Sequence, residues 1–157
     1  MEEHFLDDLA RVPWFANLGR PISPTSHVRR IFGWDGWPGP EDDAVVKLHS
    51  RHQALYESIL GDAKDKHLSA EELWKNIHEV VFRVASQKVP YHANRDAWHA
   101  PSTAVWQAAW TAGLVGLYHL LEQKVPDDLE EQWQWYREGH WPCALEEGTG
   151  NERLVVY

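Results

Sequence analysis

From about Pro101 to Gln123 the chain reads as a helix with almost no polar face. Ala104, Ala108, Ala109, Ala112, Gly113 and Gly116 keep it slim, and Val105, Trp106, Leu117, Leu120 and Leu121 fill the space between them. A helix that is apolar all round has to be buried, so this segment dictates a fold in which the other elements surround it. Its small residues let those neighbours come close. The greasiest part, Ala108 to Leu121, is 14 residues long, short of the roughly 20 that cross a bilayer. It is expected to be a core helix, with no membrane span anywhere in the chain.

The segments around it carry helix punctuation. Glu2 to Arg11 places Phe5, Leu6 and Leu9 on one side, and Pro13 ends it. A second helix is expected from Pro40, with Glu41, Asp42 and Asp43 at the positive end of the dipole and Gly61 just past the last turn. Its apolar stripe is Val45, Leu48, His52, Leu55, Tyr56 and Ile59. A third is expected to start at the capping box Ser69-x-x-Glu72, to bury Leu73, Trp74, Ile77, Val80, Val81 and Val84, and to close at Val89-Pro90. Tyr91 to Ala100 reads as an aromatic, histidine-bearing linker. A fifth helix has Pro126 early, acids at Asp127, Asp128, Glu130 and Glu131, and Gly139 at its end.

Two stretches do not fit the helical pattern. Residues 13–40 form an irregular Trp-, Gly- and Pro-rich loop, with one short helical turn expected around Ser26 to Phe32. The tail, about 143–157, reads as a hairpin: Cys143 to Leu145, a turn at Gly148 to Asn151, then Leu154 to Tyr157. The expected fold is therefore mainly α, a single-domain bundle of about five helices over 1–157 with a small C-terminal β-hairpin.

Charge and composition narrow the function classes. Fifteen bases against 24 acids leave a net charge of −9, and the densest basic group is only His27, Arg29 and Arg30. Phosphate backbones are held by neutralising lysines and arginines, so nucleic acid is not an expected partner. The single cysteine, Cys143, excludes an internal disulfide and fits a reducing compartment, which makes the cytoplasm the expected location. The start is acid-rich without an apolar run, the pattern of a mature terminus rather than a secretion signal. Neither a Walker loop nor a dinucleotide fingerprint is present. Cys143 has no neighbour to lower its pKa except His140, so it reads as a small apolar strand residue.

Ten tryptophans are the main compositional oddity. Most would plug gaps between helices. Trp34, Trp37 and Trp98 fall in segments read as loops, where binding residues concentrate, and are the expected partner-binding residues. The expected function is that of a small acidic protein-interaction module, of the kind that neutralises a basic toxin or enzyme or serves as an oligomeric accessory protein. It would bind a protein partner or a second copy of itself. The alternative is a small-molecule or metal site inside the bundle, with an enzyme left open as its use. His49 and His52 lie three apart on the second helix, with His78 and His119 as further ligands from other helices. The ordinary reading of such histidines is as half-buried core residues, and the inward carboxylates that accompany bundle metal sites are missing. No cofactor is expected, a metal being the one exception; His78-Glu79 and His119 with Glu122 could serve as acid–base pairs but read first as solvated helix faces, so a binding role is expected ahead of a catalysed reaction.

Overall fold

The computed structural model describes residues 2–23, 25, 27–90, 95–147 and 152–157, with the side chains of 2, 3 and 95–98 left aside. Five α-helices and a three-stranded sheet make up its regular structure: α1 Glu2–Arg11, β1 Val28–Arg30, α2 Asp43–Gly61, α3 His67–Ala85, α4 Arg95–Leu120, α5 Asp127–Arg137, β2 Pro142–Glu147 and β3 Glu152–Val156. No helix among the described residues is long and apolar enough to cross a membrane.

α4 is the central element. Ala104, Ala108, Ala109, Ala112, Leu114, Val115 and Leu117 are fully buried on it, and α2, α3 and α5 all pack on it. Its glycines set the approach of the neighbours. A Cβ at Gly113 would meet the Trp74 ring at 2.7 Å, and one at Gly116 would meet Phe5 at 3.1 Å and Ile77 closer still. Both helices that carry those side chains, α1 and α3, therefore lie where only glycine leaves room.

The helix ends depart from the sequence signals in instructive ways. α2 starts at Asp43 rather than near Pro40, because Asp42 takes the cap: its Oδ1 accepts from Ala44 N–H at 2.9 Å. A side-chain cap satisfies an orphan donor, whereas a proline only removes one. α3 starts two residues before Ser69, so the expected capping box lies inside the helix; a tight turn at Lys64–Lys66 feeds it directly from α2. α4 begins at Arg95, not at Pro101, and Pro101 sits inside it. Much of the expected linker is thus helix, and its first residues, 91–94, lie outside the described residues. α5 ends as the sequence indicates. Gly139 has φ +86°, its N–H donates to Tyr136 O at 3.0 Å, and His140 N–H donates to Trp135 O at 2.9 Å. This is the paired closing bond set that follows a left-handed residue just past a helix.

The C-terminal hairpin is present, its turn (148–151) lying outside the described residues. Its first strand starts at Pro142, and the hairpin gains a third strand that the sequence did not signal. The order is β1-β3-β2, with β1 parallel to β3 and β2 antiparallel to it. The short helical turn expected around Ser26 to Phe32 is instead β1, and the helical turn of that loop is a 3₁₀ turn at Trp34–Gly36. Two adjacent arginines hide the strand in the sequence. Their partner explains them: Glu146 on β2 accepts from Arg29 Nε at 2.8 Å and from Arg153 Nε at 2.6 Å, tying all three strands together. The sheet packs on α2 through Leu48, Leu145, Leu154 and Val156.

Candidate functional site

Trp37 belongs to the core, 7 % exposed. Its ring lies 5.9 Å from Trp141, and Trp34 lies 5.4 Å from Trp141 and 5.3 Å from Tyr157. The Gly- and Pro-rich loop thus uses both tryptophans to cover the end of the sheet, Trp37 sealed in the core and Trp34 half-buried. Trp98 lies in the first turns of α4, and its side chain is outside those described.

Phe32, in the same loop as Trp34 and Trp37, is the most exposed aromatic residue described, at 72 %, with the Arg30 guanidinium 4.4 Å over its ring; the other exposed aromatic residues lie on α3 and α4. Trp106 is 41 % exposed and Phe82 40 %. Between them runs an unbroken row of half-buried rings. His49 meets Trp106 at 5.1 Å, Trp106 meets Trp110 at 5.5 Å, and Trp110 meets Trp74 at 5.0 Å. Trp74 then meets His78 at 4.3 Å, and His78 meets Phe82 at 6.1 Å. Tyr56 of α2 closes on both Trp74 (4.6 Å) and Trp110 (5.5 Å). Helical spacing produces the row: Trp106 and Trp110 are four apart on α4, as are Trp74, His78 and Phe82 on α3. Gly113 seats it, because Trp74 and His78 lie against the space where its Cβ would be.

The histidines divide among different surroundings. His52, 2 % exposed, shares a 2.7 Å hydrogen bond with Gln132 of α5 through Nε2, and its Nδ1 and the Gln132 amide nitrogen have no partner among the described residues. Burial pushes its pKa down to about 4, against a smaller upward pull from the Gln132 hydrogen bond, so the ring is neutral at pH 7. Burial also lowers the pKa of His49. His78 Nδ1–H donates to Trp74 O at 3.0 Å, and burial outweighs that bond to lower its pKa as well. His119 is exposed at the other end of α4, beside Phe5, in a hollow shared with Arg11 and Arg137. His49 and His52 therefore lie together, while the aromatic row stands between them and His78, and His119 is remote. Among the described residues no three His, Cys, Asp or Glu side chains come together as a metal-holding group.

A hydrogen-bond chain fixes His49. Trp141 Nε1–H can only donate, and it donates to Gln107 Oε1 at 2.7 Å. The Gln107 amide nitrogen then points its two protons at Cys143 O (3.2 Å) and at His49 Nε2 (3.0 Å). His49 Nε2 must be the bare nitrogen, and the ring proton sits on Nδ1. Nothing at Gln107 in the sequence signals this junction between α2, α4 and β2; a glutamine on an apolar helix was the only available clue. Cys143 is fully buried and its thiol pKa is pushed up by burial, which makes it a packing residue.

No family model, curated protein or solved structure matches this chain.

Proposed function

We propose that the chain is a protein-interaction module that docks a basic partner on the aromatic face of α2, α3 and α4. The observation that carries this reading is the unbroken row of rings from His49 to Phe82, with Trp106 and Phe82 standing out of it at 41 % and 40 % exposure. Large rings held in place by packing lose little freedom on binding, which is why they recur as interface anchors. The row is longer than a small ligand could cover.

Charge selects the partner. The exposed charged residues of α3, and of α2 between His49 and Gly61, are Glu57, Glu71, Glu72 and Glu79 against Lys75 and Arg83. Together with the net charge of −9, this disfavours a second copy of the same chain and favours a cationic surface. The anchors differ from the loop tryptophans expected from sequence, while the class of function is unchanged. A single thiol buried away from oxidants suits the cytoplasm.

The test compares tag-free wild type with the Trp106→Ala/Phe82→Ser double variant, each recovered from the host under identical conditions. A basic protein that accompanies wild type at a fixed ratio and is lost from the double variant, with helix content unchanged, is the expected result. Equal recovery with both would overturn the reading.

A further inference from the structure

We infer that the cleft between α2 and α4 at the Trp106 end of this face binds an uncharged planar heteroaromatic compound. The cleft holds about 240 Å³ and is lined by His49, Ser50, His52, Gln53, Trp106 and Trp110. That is room for one ring or a fused pair, below the size of ordinary drug pockets.

Of its polar groups, His49 is fixed by a bond that runs into the protein, and Gln53 is held along α2. Because Gln107 forces the His49 proton onto Nδ1, His49 offers a donor, and that N–H has no partner among the described residues and is not sealed from solvent. Gln53 Nε2 donates to Glu57 Oε1 at 3.2 Å, which leaves Gln53 Oε1 as an acceptor. Ser50 adds a hydroxyl. Trp106 and Trp110, tilted at 48° to each other, supply aromatic wall.

Three ligand classes can be compared on this lining. An anionic ligand would find no cationic side chain in the lining and would pay its desolvation uncompensated, while a cation drawn to the tryptophan faces would meet the positive end of the His49 N–H. A sugar would bring more hydroxyls than the cleft has free partners, and each unpaired group costs binding energy. A flat heteroaromatic ring carries two or three edge atoms for the His49 donor and the Gln53 acceptor, and gives its face to tryptophan.

The inference does not depend on the docking reading. Its test is a titration of the full chain with nicotinamide (one ring) and caffeine (a fused pair), followed by the indole ¹H–¹⁵N resonances. Glucose and benzoate serve as the hydroxyl-rich and anionic comparisons. Fragments of this size bind at up to about 10 mM. Saturable shifts at Trp106 and Trp110 with nicotinamide or caffeine are expected, with at least tenfold weaker binding in Gln53→Ala and in Trp106→Ala. Phe82→Ser, at the far end of the row, should leave the titration unchanged even where it abolishes docking. No saturable shift with either ring, equal binding of benzoate or glucose, or undiminished binding in both cleft variants would overturn the inference.

Discussion

His52 shows at the scale of one residue how burial decides chemistry. It lies in the apolar stripe of α2 and is sealed from water, so its native ring resists protonation down to about pH 4, while the unfolded chain titrates near 6.5. A base whose pKa is lower in the native state destabilises that state as protons become available. Stability is therefore unaffected by His52 above about pH 6.5 and falls as pH drops toward 4. Over that window the loss amounts to roughly 3 kcal/mol. Urea midpoints measured between pH 7 and pH 4.5 should fall steeply for wild type and less so for His52→Gln. Parallel curves would show that His52 is not the group responsible. Cys143 makes a second residue-scale prediction. Its sulfur is buried and bonded toward Val155 O at 3.4 Å, so the native protein should leave a thiol reagent unconsumed until denaturant is added. The inward placement of His52 and the packing role of Cys143 were both readable from periodicity and neighbours. The hydrogen-bond chain through Gln107 was not, because it joins residues 49, 107, 141 and 143, which only the tertiary fold brings together.

At the scale of elements, close approach of α3 to α4 depends on Gly113. Alanine there would gain about 1 kcal/mol of helix propensity, yet its Cβ would overlap the Trp74 ring, and such overpacking costs about 1–3 kcal/mol. Gly113→Ala should be net destabilising by about 1 kcal/mol and should shift the Trp74 and Trp110 indole resonances, read from urea unfolding and from ¹H–¹⁵N spectra. A stabilised variant would mean that Trp74 does not occupy that space. The small residues of α4 announced this packing in the sequence, whereas helix starts were less legible. Asp42 capped α2 in place of Pro40, and the α2–α3 turn left the Ser69 capping box inside a helix. In each case tertiary connection outweighed a local signal worth about 1 kcal/mol. β1 was hidden for a different reason: Arg29 and Arg30 look like a solvated pair until Glu146 and the parallel neighbour β3 are seen.

The whole molecule is an α-bundle wrapped on α4 with a small sheet capping one side; the bundle followed from the helix periodicity and the hairpin from its strand pattern, whereas β1 followed from neither. Nor did the sequence mark where the exposed aromatic residues of the helices would lie. Loop position favoured Trp34 and Trp37, but the loop packs both rings over Trp141 and Tyr157 at the end of the sheet. The helices α3 and α4 have aromatic residues to spare at four-residue spacing, and the excess emerges as the row ending at Trp106 and Phe82. If Trp106 anchors a partner, Trp106→Ala should weaken binding by at least about 2 kcal/mol, some thirtyfold, without changing urea stability by a comparable amount. The most direct measurement places a photo-crosslinking phenylalanine analogue at position 106, at position 82 and, as a control, at the exposed position 7 of α1, in the host. The account predicts one and the same basic protein crosslinked from 106 and 82 and absent from 7. Crosslinks from position 7 alone, or none from either aromatic position, would contradict it.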